Sequence, residues 1–185
     1  MKLKKDEGGG YVAPKIGLHS GVITSYITVG SSDDKFNPGT LKKEVVIVIT
    51  LPKQHDSKDD GSPPEMLTIS KWCRASLNEK ANLYKFVNSL MNIEEEFDAN
   101  GEFDLSKILG LNCMVHITDH TSDSGQKSVV INSVTPLEEG AETFELPTTK
   151  FDFEDFKASE FDALSEKMQM RIKLTPEWSA INFPV

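Results

Sequence analysis

The chain has 185 residues, 38% of them hydrophobic, and a formal net charge of −9. That length suits one domain plus an appendage, and about 100–150 residues are enough to bury a core. The acid excess argues against a simple nucleic-acid binder, because phosphate contacts need lysine and arginine. No run of about 18 apolar residues is present, so no membrane span is expected. The excess is also uneven: residues 1–137 hold 15 Lys and Arg against 18 Asp and Glu, a net −3, while residues 138–185 hold 5 against 11, a net −6. A near-neutral body with an acidic tail is a different object from a uniformly acidic protein. The opening MKLKKDEGGGY is basic but has no apolar stretch after it, so no secretory signal is expected. Cys73 and Cys113 both fall in strand-like runs. They suit reduced core thiols of a cytoplasmic protein, the alternative being one disulfide in a secreted chain.

In chain order, residues 1–14 are charged and glycine-rich and read as a flexible arm. A domain over residues 15–137 follows, then an acidic, aromatic-rich extension over 138–185. Residues 16–29 are strand-like, with Ile23, Ile27 and Val29 on one parity and Thr24, Tyr26 and Thr28 on the other; Gly17 and Gly21 suggest a bend. Asn-Pro-Gly marks residues 31–40 as a loop. Residues 44–51, EVVIVITL, are apolar on both faces, which predicts a central strand. Residues 52–65 read as a polar loop, long for a hairpin. In the third strand, 66–74, Leu67 and Ile69 point one way and Thr68, Ser70, Trp72 and Arg74 the other.

Ser76 and Glu79 have the spacing of a capping box, which predicts a helix carrying Leu83, Phe86, Val87, Leu90 and Met91 as its apolar stripe. Phe86 belongs to that stripe, whereas Tyr84 reads as a half-buried edge residue. Residues 104–110 read as one helical turn stopped by Gly110. They lead into a hairpin of strands 112–118 and 128–134 around a polar turn, with Cys113, Val115 and Ile117 opposite Met114, His116 and Thr118. In the tail, Phe144, Phe151, Phe153, Phe156 and Phe161 lie among acids. Ser159 is expected to cap a helix to about Lys173 that Pro176 ends.

Three strands without a long crossover exclude a parallel α/β sheet. Five short antiparallel strands must bury one face and hide their edges. A mainly β fold is predicted: a five-stranded OB-fold-like barrel, one helix between strands three and four, and an acidic, partly helical C-terminal tail.

Several pieces, in order, resemble a family of small phage-encoded proteins described as OB-fold single-stranded-DNA-binding-like. They are LTISKW at 67–72, SLNEKANL at 76–83, FDL at 103–105, LGLNC at 109–113, INSVTPL at 131–137 and PEW at 176–178. The resemblance spans roughly residues 16–178 and carries no catalytic motif. It implies a role in phage replication or recombination in the host cytoplasm, with single-stranded DNA as partner and replication or recombination proteins as further partners of the tail. The final INFPV lacks the adjacent acids of the terminal peptides of well-known single-strand binders, a departure that tells against docking of that kind.

Single-strand binding on such a fold needs aromatic faces for bases and cations for phosphates. Tyr26 and Trp72 lie opposite the aliphatic residues of their strands, and Arg74 shares the side of Trp72. Lys35, Phe36, Lys42 and Lys43 belong to the first loop or its exit, and Lys127 to the hairpin loop. These eight residues form the expected groove. The plainer reading is that Trp72 packs under the tail and the lysines are ordinary surface. Cys113, His116, Asp119 and His120 tempt a metal assignment, but alternation sets Cys113 and His116 on opposite faces, so no metal or other cofactor is expected. No G-x-S-x-G, Walker A or H-E-x-x-H motif occurs, so no enzymatic activity is expected. The tail has three readings: solvated and disordered, docked on a partner through its phenylalanines, or lying in the protein's own groove as a nucleic-acid mimic. The alternative function is an OB-fold protein-interaction module, a phage accessory or host-inhibitory protein without nucleic-acid affinity.

Overall fold

The computed structural model describes residues 12–34, 37–56 and 63–181. Most of the expected N-terminal arm, Lys35 and Phe36, part of the long polar loop and the final four residues lie outside the described residues.

Strands β1 (Gly17–Asp33), β2 (Leu41–Asp56) and β3 (Glu65–Arg74) form an antiparallel meander. Helix α1 (Asn82–Asn88) and two 3-10 turns, Ile93–Glu95 and Leu105–Ile108, lead to the hairpin of β4 (Asn112–Thr121) and β5 (Lys127–Pro136). The tail supplies β6 (Thr149–Phe151), α2 (Ala158–Asp162), α3 (Glu166–Lys173) and α4 (Pro176–Ala180). The spatial order is β3-β2-β1-β4-β5. This is the mainly β, antiparallel architecture that the order of elements predicts, with the helix in its expected place. The expected closed barrel is not formed: β3 and β5 remain the two edges of the sheet, and no ladder joins them.

β1 serves both halves of the sheet. Its residues 17–22 pair with β4, and residues 22–33 pair with β2. Gly21 stands where the halves meet. A Cβ there would lie 2.6 Å from Ile49 Cγ2 and 2.8 Å from Val115 Cγ2, so the close approach of β2 and β4 needs a residue without a side chain. Past Val22 the second flank of β1 has no partner from β4. Such an open edge is a template for aggregation, and β6 occupies it in parallel, setting Thr149, Lys150 and Phe151 opposite Ser25, Tyr26 and Ile27.

The curled sheet encloses one core. Ile23, Tyr26, Ile47, Ile49, Ile69, Val115, Ile117 and Ile131 pack there against Phe86 and Val87 of α1 and against Ile93 and Ile108 of the two turns. Asp104 caps the second turn by accepting from the Ser106 amide at 2.8 Å, and Gly110, at φ +80°, ends it as expected. A second cluster lies on the outer face of β1 and β2. Ile27, Val29 and Val46 are buried there against Phe151, Phe161 and Ile172 of the tail. The two apolar faces of β2 therefore have two separate cores to fill.

Four local expectations are corrected. Ser76 is no helix cap, because the Ala75 amide still donates to the Lys43 carbonyl at 2.9 Å and keeps the chain tied to β2. Ser76 Oγ instead accepts from the Asn78 amide, and α1 starts six residues later behind Ala81 with no side-chain cap. Residues 52–56 belong to β2 rather than to a loop, reached through a register shift between Leu51 and His55 that accommodates Pro52. The single tail helix is two helices: Ser165, not Ser159, caps α3 by accepting from the Met168 amide at 3.4 Å. Pro176 opens α4 instead of ending a helix, with Thr175 as its cap.

Candidate nucleic-acid interface

The expected groove rests on strand parity, and parity survives only where the ladder is regular. From Glu44 opposite Arg74 to Leu51 opposite Leu67, β2 and β3 pair without a shift. Ile69 and Cys73 are accordingly buried inward, and Trp72 and Arg74 face outward. In β1 a register shift between Ile23 and Ser25 accommodates Thr24 as an extra residue. One extra residue reverses the side chains that follow it, up to the second shift between Thr28 and Gly30. Tyr26 therefore joins Ile23 in the inner core at 2% exposure, and Ile27 and Val29 turn outward to the tail. The Tyr26 hydroxyl donates to Asp152 Oδ2 at 3.1 Å. Burial, with the Asp152 carboxylate beside it, pushes its phenol pKa well above the ordinary range. Tyr26 is a core residue that helps hold the tail, not a stacking platform.

The cations divide as well. Lys42 Nζ lies 3.0 Å from Glu44 Oε1, and Arg74 Nη1 lies 3.7 Å from Asp34 Oδ2. Lys43 is exposed one residue before Glu44. Lys127 begins β5 opposite Thr121, beyond the last pair that β4 makes with β1, whereas Trp72 aligns through Val46 with Ile27. The ladders thus set Lys127 apart from the group at Trp72. Lys35 and Phe36 lie outside the described residues. What the fold brings together is Trp72, Arg74 and Lys42, through the pairs Trp72–Val46 and Arg74–Glu44 and the Lys42–Glu44 ion pair, whereas Lys43 lies near Glu177 of the tail.

A fourth member, Arg171, was not among the expected residues. Its guanidinium carbon lies 4.4 Å from the centroid of the Trp72 ring, and its Nη2 donates to Glu44 Oε2 at 2.9 Å. Arg171 sits in the last turn of α3, off the apolar stripe of that helix. Trp72 keeps 41% of its surface exposed, and it is the exposed aromatic residue among the described ones. A guanidinium stacked over indole is favourable in itself and leaves the rest of the ring open.

The tail is neither free nor attached through its acids alone. Phe151 is fully buried, its ring centroid 5.2 Å from that of Phe153, 6.0 Å from Phe156 and 5.6 Å from Phe161. Trp178 stacks on Phe161 with centroids 4.2 Å apart. At its end Glu177 accepts from the Ser31 amide at 2.8 Å and from the Ser31 hydroxyl at 2.5 Å. Burial alone would raise the Glu177 pKa, but the two Ser31 donors and nearby Lys43 outweigh it and hold the carboxyl below its ordinary value. Glu44 behaves alike: burial raises it, while Lys42 and Arg171 lower it further. Carboxyls depressed in the folded state contribute stability that is present above their unfolded pKa and lost as pH falls through the folded one. Thermal melts across the acid range should show the tail loosening as pH drops below 4.5, the ordinary glutamate value. Glu177→Gln should flatten that dependence, and a pH profile identical to wild type would remove Glu177 from the clamp.

Cys73 and Cys113 are buried free thiols, and burial pushes the Cys113 thiol up to about 12. Cys113 faces the core, and His116 faces out beside Asn132, 3.2 Å from its Nδ2. No helix among the described residues is long and apolar enough to cross a membrane. The chain matches no protein-family model and no curated protein.

Proposed function

We propose that the chain is an OB-fold-like, non-catalytic single-stranded-DNA-binding protein of phage replication or recombination, acting in the cytoplasm of the host. The observation that carries the reading is Trp72: an exposed indole on the outer face of β3, with Arg171 on its ring and Arg74 beside it. Aromatic faces take bases of any sequence, and neighbouring cations take phosphates. Lys42 extends the positive edge along β2. Glu44 and Asp34 hold Lys42, Arg171 and Arg74 in place at the cost of part of their charge. A strand entering the site competes with those carboxylates, so binding should be strongest at low salt, weakening with a slope of about −0.7 per phosphate neutralised.

Fluorescence anisotropy with labelled oligothymidylate tests the reading. Trp72→Ala should lower affinity roughly 5- to 150-fold, the equivalent of about 1–3 kcal/mol for one stacked base, while Trp72→Phe retains most of it. The melting curve should stay close to wild type, because Trp72 is not core. Unchanged affinity in Trp72→Ala, or no binding by the wild type at low salt, would reject the site.

A second reading is favoured by one feature. A hollow of about 480 Å³ between α1, the second 3-10 turn and β6 is lined by Glu96, Asp98, Glu102, Asp104, Asp152 and Glu154, with Lys107 as its cation. That surface repels phosphate and suits a basic protein partner, as expected of an interaction module without nucleic-acid affinity. The same titration separates the two: such a module leaves oligothymidylate free at every salt concentration.

A further inference from the structure

The open seam between β3 and β5 holds an unusual lysine. Lys71 lies on the inward parity of β3, between buried Ile69 and Cys73, and is half-buried. Its Nζ donates to the Ile131 carbonyl of β5 at 3.2 Å, which is how the two edges touch without a ladder. An inward charge on an edge strand blocks pairing with foreign strands, which accounts for a lysine here. It does not account for what surrounds it. Lys71 lines a notch of about 230 Å³ together with Lys85, Asn82, Ser89, Asn132 and Ser133, over the ring of Phe86, and no carboxylate is among the lining residues. Two larger hollows among the described residues carry acids. Seven other cations of the described surface are paired with carboxylates: Lys42, Lys53, Arg74, Lys107, Lys150, Lys157 and Arg171.

Two lysines thus line one concave site that has no carboxylate among its lining residues, in a protein whose net charge is −9. A half-buried ammonium bound only to a neutral carbonyl is poorly compensated for its lost hydration. One bond to Ile131 leaves two of the three Lys71 donors to offer. Lys85 brings three more, and the amide and hydroxyl groups around them bear no charge to repel an anion. The notch has room for a tetrahedral oxyanion and several waters.

We propose that the notch between β3 and β5 is a phosphate-binding site, with Lys71 and Lys85 as its cationic ligands. The phosphate belongs either to a bound single strand or to a free phosphate compound. The first source rests on the function proposed above; the second does not. Neither lysine belongs to the Trp72 group, so the two sites separate experimentally.

The test is an amide NMR titration of the full chain with inorganic phosphate, against chloride at matched ionic strength and pH. Saturable shifts confined to residues 71, 82–89 and 131–134 are expected. Lys85→Gln, a surface change that leaves the core intact, should weaken phosphate binding by about three- to tenfold, as loss of one charge-assisted contact does. Lys71→Gln should do the same, and Lys71→Arg should restore it. Shifts that are absent, unsaturable or spread over the surface, or two glutamine variants with wild-type affinity, would overturn the site. Oligothymidylate identifies the source. A strand phosphate in the notch makes the salt slope of the double glutamine variant shallower by about 0.7, and a free phosphate leaves the slope unchanged. If oligothymidylate fails to bind the wild type, the single-strand reading fails, while the phosphate titration still decides the notch.

Discussion

Phe151→Ala should be among the most damaging single changes in the chain. Phe151 is fully buried in the outer cluster, touches three other phenylalanines and belongs to β6, which covers the open flank of β1. Removing a buried phenylalanine costs about 3–5 kcal/mol through lost transfer energy and the cavity left behind. For a chain of this length each kcal/mol lowers the melting temperature by about 2–4 °C, so a fall of roughly 6–20 °C is expected by circular dichroism. The backbone contacts of β6 add to the loss. Thr28 Oγ1 donates to the Phe151 carbonyl at 3.1 Å and accepts from the Phe153 amide at 3.1 Å. Once the ring is gone, those bonds must hold β6 without the packing that orients it. The exposed apolar face of Ile27, Val29 and Val46 should then bind a hydrophobic dye. A melting temperature within a degree or two of wild type would mean that the tail rests on the sheet without stabilising it.

Gly21→Val is the second. Its Cβ would stand 2.6 Å and 2.8 Å from two buried methyl groups, Ile49 Cγ2 and Val115 Cγ2, one on each side of β1. Neither neighbour has free space, since both residues are fully buried. Overpacking of a filled core costs typically about 1–3 kcal/mol. Valine adds two further methyl groups at the point where β2 and β4 converge, so the upper end is expected. Gly21→Ala should cost less, in the same direction. Urea titration would show a lower midpoint for both, in the order Gly, Ala, Val. Equal midpoints would mean that β2 and β4 spread apart without loss, and that the bend does not depend on glycine.

The parts of the fold readable in the sequence share a property: they depend on a residue and its near neighbours. The alternation of Cys113, Val115 and Ile117, the turn from Asp104 to Gly110 and the two apolar faces of β2 are of that kind. Trp72 was also legible, because the ladder from Arg74 to Leu67 pairs without a shift. Tyr26 was not. The shift at Thr24 is a fact about β1 and β2 together, and a single strand does not reveal that its parity reverses halfway. Ser76 had the right spacing for a cap, but a hydrogen bond to β2 through Ala75 overrode it. The outer face of β2 announced that something covers it, without saying what. β6 has three residues, too few for a period, and its partner lies in the first strand. Arg171 reached the candidate site by the same long route, so no local pattern placed it on Trp72.

The position of β6 also bears on how the molecule is made. Ser25 and its partner Thr149 are 124 residues apart, so one strand of that pair leaves the ribosome long before the other. At about 5–20 residues per second the interval is roughly 6–25 s. For that time the nascent meander has an uncovered flank and an apolar outer face, although its inner core is complete once β5 has emerged. A segment synthesised late is thus the one that covers that flank. A ribosome that stalls or terminates within the tail releases a chain with an assembled inner core that remains adhesive, the kind of species on which chaperones and proteases act.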